Sequence, residues 1–203
     1  METCAQQLMR TTKNNMQDIE PFYNWRHLYA SEEDDHSPFY GRVYSEFEYS
    51  NTVYNYYIHP QWDEIGSPTL YIKILFCDYE QEFAIIELLG EWNDAIHNDI
   101  MILKRDIVDE LIKEGIKKFI LIGENVLNFH ASDDCYYQEW LDDIEDGWIV
   151  AFNFRQHVLT EFQKTGIDYY VTYGGEFNNT PWRTFAPSQL LIYTDTIINK
   201  RLN

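Results

Sequence analysis

The stretch LYIKILFCDYEQEFAIIELLGEWNDAIHNDIMILKRDIVDELIKEGIKKFILI, residues 70–122, decides the fold. Leu70–Phe76 (LYIKILF) and Phe83–Leu89 (FAIIELL) are apolar runs of strand length. The polar bend Asp78–Glu82 separates them, so the pair reads as a β-hairpin. The period changes at residue 99. Ile100, Leu103, Ile107, Leu111 and Ile112 fall on one face of a helix. Asp99 is placed to cap its start and Gly115 to end it. Lys117–Ile122 (KKFILI) then reads as a buried strand.

Toward the C-terminus the alternation continues. A helix fits Asp134–Glu145, a strand Trp148–Phe154, a helix Gln156–Thr165 and a strand Ile167–Tyr173. A last helix follows Pro187, with Lys200 and Arg201 near its negative end. Strands alternating with helices imply right-handed crossovers and parallel pairing. Gly90–Asn98 and Gly123–Ser132 read as loops. Toward the N-terminus, Thr52–Ile58 reads as a further strand and Glu32–Asp35 as an exposed charged loop. The expected fold class is α/β, with a mixed, largely parallel sheet preceded by an antiparallel Tyr-rich strand region. Residues 19–203 are expected to form one domain, with 19–69 as its N-terminal extension and 1–18 as a frayed terminus.

The formal net charge is −19. Such a surface repels nucleic-acid phosphates and anionic lipid heads, so neither is an expected partner. It suits a basic or neutral protein partner, or a divalent cation. Cys4, Cys77 and Cys135 are widely spaced and form no CxxC pair, which excludes a zinc ribbon on pattern. No signal-peptide pattern opens the chain, so the cytoplasm is the expected location. The 16 tyrosines fit either a half-buried sheet surface or a binding face.

A hairpin leading into alternating helices and strands resembles the STAS-type domains, the family of anti-sigma-factor antagonists. The resemblance spans about Leu70 to Tyr173. In that family a regulatory serine lies between a buried strand and the next helix. Within Ile120–Asp134 (ILIGENVLNFHASDD), Ser132 holds the matching position. The resemblance implies a non-catalytic, partner-binding module controlled by phosphorylation. Asp133 stands where the family has glycine, and Asp133 and Asp134 would repel a phosphate there.

No P-loop, GxSxG, HExxH or GxGxxG motif is present. Polar residues do gather where strands end, the edge at which open α/β sheets bind ligands. The candidate catalytic residues there are His97, His130 and Asp94. The candidate ligands for a divalent metal are Asp99, His130, Asp133 and Asp134, since imidazole with carboxylates suits Zn²⁺, Mn²⁺ or Fe²⁺. Asp94 and Asp99 equally suit turns and caps. A separate candidate surface for a partner is Ser132 together with Asp142, Asp143, Glu145 and Asp146. Those last acids sit against the negative end of a helix dipole, where a cation or a basic partner would offset their cost; a solvated acidic turn screened by salt is the alternative. Two function classes follow: a partner-binding or regulatory module, and a metal-dependent hydrolase built around His97 and His130.

Overall fold

The computed structural model describes residues 17–45, 47–49 and 51–202. The expected frayed terminus falls mostly outside them, but Gln17–Ile19 form the first strand, β1. With β2 (Thr52–Val53) and β3 (Tyr56–Ile58) it makes a small sheet of order β1-β3-β2. The single strand expected over Thr52–Ile58 is thus two short ones, because Tyr54 turns left-handed at φ 53°.

The large sheet starts with β4 (Asp63–Glu64), β5 (Leu70–Asp78) and β6 (Phe83–Asn93). A short helix α1 (Asp94–His97) leads into α2, which comprises Asp99–Leu103, a π-helical turn Lys104–Val108, and Asp109–Lys113. Then come β7 (Lys118–His130), α3 (Cys135–Asp143), β8 (Trp148–Phe152), α4 (Gln156–Lys164), β9 (Val171–Thr172) and α5 (Pro187–Leu202). The strand order is β4-β5-β6-β7-β8-β9. The hairpin β5–β6 is antiparallel, and β6 to β9 are parallel neighbours. This is the expected α/β class with a mixed, largely parallel sheet.

Successive right-handed crossovers that all step the same way place α2, α3 and α4 on one face. Ile72, Ile86 and Phe119 of the sheet pack there against Leu103, Trp140 and Phe162. The other face presents Leu75, Ile85, Ile120 and Val150. Leu190 and Ile197 of α5 cover it, together with Trp25 and Trp182 from the two flanking parts of the chain. Burial on both faces explains why these strands read as continuous apolar runs.

Several expected boundaries shift. Gly90–Asn93 belongs to β6, and Gly123–His130 belongs to β7, where loops were expected. The two extensions pair with each other across register irregularities near Leu89 and Gly90, which interrupt the periodic pattern in both. Gly90 has φ +114°, and a Cβ there would run into the Thr69 carbonyl oxygen. Asp99 does not cap α2. Asn98 precedes the helix in the left-handed region, and the Asp99 side chain turns back to accept the Asn93 backbone N–H at 2.7 Å. Ile167–Tyr173 yields a 3₁₀ turn at Ile167–Tyr169 and only two residues of strand. The acidic end of α3 finds part of its cation inside the chain. Lys104, fully buried in the π turn, donates to Asp143 at 2.8 Å and to Asp109.

One carboxylate interrupts the second face. Glu87 of β6 is fully buried. Its Oε2 accepts the Phe22 backbone N–H at 2.9 Å, while Oε1 has no hydrogen-bond partner. The Arg183 guanidinium, 3.6 Å from Oε1, is a charge contact beyond hydrogen-bond length. Burial pushes the Glu87 carboxyl up to about 7, against the pull of the Phe22 N–H and Arg183. The folded chain therefore holds this proton more tightly than the unfolded chain does. The group's contribution to stability is full below about 4.5 and is lost as pH rises to about 7. Glu87→Gln should be more stable than the wild type at pH 8, by up to about 3 kcal/mol, with the gap closing toward pH 4.5. Urea midpoints at the two pH values measure this, and an equal gap at both would show that Glu87 does not titrate in that window.

Candidate functional site

The C-terminal ends of β6 and β7 lie side by side. Glu91 faces Asn128 and Asn93 faces His130 in the parallel register. Both strands then leave the sheet at one edge, into α1 and into the turn that precedes α3. This edge holds most of the residues expected to carry chemistry.

Asp94 opens α1, yet its carboxylate is buried. Oδ1 accepts the Trp92 indole N–H and the Ile100 backbone N–H, each at 2.8 Å. Oδ2 accepts the Tyr137 hydroxyl at 2.7 Å. One side chain thus ties the end of β6 to the starts of α2 and α3. Burial pushes its carboxyl up to about 6, and the Tyr137 hydroxyl is the chief opposing influence. Asp99 is also buried. Its Oδ2 holds the Asn93 N–H, and Oδ1 has no hydrogen-bond partner. Burial raises its pKa, while the Asn93 N–H, a Ser67 hydrogen bond and the nearby His97 favour its charge. His97 itself is half-buried at the end of α1.

His130 ends β7 and is exposed. Its Nε2 lies 3.0 Å from Glu91 Oε1 and 2.9 Å from Asn128 Nδ2. With a proton on Nε2 it donates to Glu91; without one it accepts from Asn128. Tyr54 reaches over from the small sheet and donates to Glu91 Oε2 at 2.7 Å. Glu91 and Asn128 belong to the polar residues that the sequence gathers at the strand ends, though not to its candidates, and Tyr54 was not singled out. The first two occupy what read as loops, and only the strand register places them beside His130.

The expected metal ligands do not converge. Asp133 Oδ1 accepts the Cys135 N–H at 3.2 Å, one residue ahead of Asp134, the N-cap of α3. The Cys135 thiol and backbone N–H hold the Asp133 carboxyl below its usual range, and Asp133 in turn raises the exposed thiol. Asp134 accepts the Tyr170 hydroxyl at 3.0 Å. Among the described residues, Asp99, His130, Asp133 and Asp134 form no set with ligand atoms within 4.8 Å of one another; Asp18, Glu20 and His59 do.

The two halves of the expected partner surface also separate. Ser132 is exposed before α3, while Asp142, Asp143, Glu145 and Asp146 are exposed at its far end. Seven helical residues, 135–141, about 10 Å, lie between Ser132 and Asp142. What the edge does form is a groove of about 600 Å³. Ala95, Phe129, His130, Ala131, His157 and Glu161 are among its lining residues. Ile96, next to Ala95, is 77% exposed.

No family model matches the chain, and no curated protein matches it. Among solved structures it is similar to the anti-sigma factor antagonist SpoIIAA in its unphosphorylated form. The TM-score is 0.39 and the identity 15%, over 52% of this chain and 89% of that one. It is also similar to the Bacillus cell fate determinant SpoIIAA in the phosphorylated form, with a TM-score of 0.36 and 15% identity, over 52% of this chain and 92% of that one.

Asp94 and His130 should respond in opposite ways to truncation. Asp94→Ala strands the Trp92, Ile100 and Tyr137 donors and should cost about 3–5 kcal/mol of stability. His130→Ala, at an exposed position, should stay within about 0.5 kcal/mol of the wild type. Chemical denaturation of both variants makes the comparison, and a similar loss in the two would contradict this division.

Proposed function

We propose that the chain is a partner-binding module that docks another protein at the C-terminal edge of its sheet, over the groove beside α1. The state of the edge carboxylates carries this reading. Asp94 is saturated with three donors, and Asp133 accepts a backbone N–H at the start of α3. Charges consumed in this way serve architecture. Around them the groove offers small and apolar surface, Ala95, Phe129 and Ala131, with the exposed Ile96 next to Ala95, and with His130, His157, Asn128, Glu161 and Thr165 as polar edges.

Such a mixture fits the anatomy of a protein interface, with an apolar centre and a polar rim. The partner's contact surface should be neutral or basic, because the chain's net charge is −19 and like charges suppress encounter. Ser132 stands at the rim and is exposed. A phosphate there would add negative charge next to Asp133 and would weaken docking of an uncharged partner patch.

Site-specific photo-crosslinking tests the reading. A crosslinker at position 96 or 132 should give the same discrete adduct in lysate of the source cell. One at Ile192, exposed on α5 over the opposite face, should not. Ile96→Asp should reduce recovery of that adduct from position 132 by at least about tenfold, equivalent to about 1.4 kcal/mol. Equal adducts from all three positions, or an adduct insensitive to Ile96→Asp, would end the proposal.

A further inference from the structure

A second cluster lies outside the edge just described, in the small sheet. Asp18 and Glu20 are two apart, so on an extended chain their side chains leave by the same face. β1 runs parallel to β3, with Asp18 facing Tyr57 and Ile19 facing Ile58. The His59 N–H continues the ladder to the Ile19 carbonyl at 3.4 Å. This register carries His59 up beside the two acids. One ring nitrogen of His59 and one carboxylate oxygen from each acid all lie within 4.8 Å of one another.

The ring is not a surface accident. His59 is 9% exposed, while Asp18 and Glu20 are exposed. Nδ1 is engaged: the Tyr23 hydroxyl lies 3.0 Å from it and the Gln61 N–H points at it from 3.3 Å. Nε2 has no hydrogen-bond partner among the described residues. On the other side, Tyr49 donates to Asp18 Oδ2 at 2.7 Å and packs its ring edge-on to His59 at 5.5 Å. Two tyrosines thus stand behind the two kinds of ligand group. Outer partners of this sort orient metal-binding side chains in proteins. The phenols register the local negative field. Tyr49 is pushed up to about 12, first by its bond to Asp18, and Tyr23 is raised by burial and then by Glu20.

We propose that Asp18, Glu20 and His59 bind one Zn²⁺ ion, which pins β1 to β3. One imidazole and two carboxylates suit zinc. Calcium wants six to eight oxygens, and magnesium keeps to oxygen and water. Three protein ligands leave a fourth position for water. Binding through Nε2 places the ring proton on Nδ1, so on loading the Tyr23 oxygen accepts it and the Gln61 N–H gives up its contact with Nδ1.

The test uses the full chain stripped with EDTA and titrated with Zn²⁺ by calorimetry. Co²⁺ serves as a coloured substitute, whose visible bands report tetrahedral coordination. One equivalent should bind, with His130→Ala unchanged. Asp18→Asn changes an exposed residue, so folding is not at stake, and should weaken binding at least about tenfold. His59→Asn removes the ring-nitrogen ligand and should abolish the one-equivalent step. Tyr23→Phe should weaken it about 10–100-fold while leaving every ligand in place. No saturable step would overturn the proposal. So would Zn²⁺ binding unaffected by Asp18→Asn and His59→Asn, or Mg²⁺ binding as tightly as Zn²⁺, since both would mean that cations only gather on the acidic surface.

Discussion

Thirty-four acidic side chains share 15 lysines and arginines. Most carboxylates in this chain therefore need a donor that is not a cation. Tyrosine supplies it. Tyr29 and Tyr79 both donate to Asp34, Tyr44 to Asp63, Tyr49 to Asp18, Tyr54 to Glu91, Tyr137 to Asp94 and Tyr170 to Asp134. A phenol brings a large apolar ring with its donor, so the same side chain fills space and satisfies charge. A hydrogen bond to a charged acceptor is worth more than a neutral one. Neither reading of the tyrosine-rich sequence, sheet surface or sticky face, describes this. These tyrosines are the counterpart of the acidity.

The scarce cations reinforce carboxylates held between elements. Lys104 is buried between α2 and α3 and holds Asp109 and Asp143. Lys73 and Arg42 meet the buried Asp63, with the Lys73 ammonium 3.8 Å over the Tyr44 ring. Arg183 stacks on Trp182 and reaches Glu124. Each sits where two elements meet. Breaking such a pair by removing one partner leaves a buried charge alone, which costs more than a surface ion pair contributes. Glu87 is the exception, held by one N–H and a distant guanidinium, and its raised pKa reflects that poverty.

The strong apolar runs made the sheet legible. LYIKILF, FAIIELL, KKFILI and WIVAFNF all gave strands of the large sheet, the last ending two residues early at Phe152, because burial on both faces leaves a signal that polar neighbours cannot mask. The helix over residues 99–113 was legible for the same reason, although its π turn was not. The losses share a cause. Gly90–Asn93 and Gly123–His130 carry Gly, Asn and Glu, which read as loop, yet they pair with each other across register shifts. Long-range pairing overrode local propensity there. The site suffered with them. His130 was visible as a residue type, but its contact with Glu91 depends on strands that the sequence reading had ended too early. Asp94 and Asp99 were visible as candidates for chemistry, whereas their burial comes from the packing of α2 and α3. Asp18 and His59 are 41 positions apart and meet only through parallel pairing of two three-residue strands.

Access then separates the acids by role. Both faces of the large sheet are covered, one by α2, α3 and α4, the other by α5 and the aromatic segments around Trp25 and Trp182. What stays open is the edge beyond β6 and β7 and the margin of the small sheet. At the first, the buried carboxylates have donors from the fold itself, so the free surface is apolar and imidazole-bearing, the chemistry of docking. At the second, Asp18 and Glu20 converge on a buried imidazole with phenols behind them, the chemistry of cation capture. Both follow from one shortage of basic residues. Where the fold brought phenols and N–H groups to a buried carboxylate, the charge became structural; where it brought two exposed carboxylates and an imidazole together, charge remains beyond what the Tyr49 phenol satisfies.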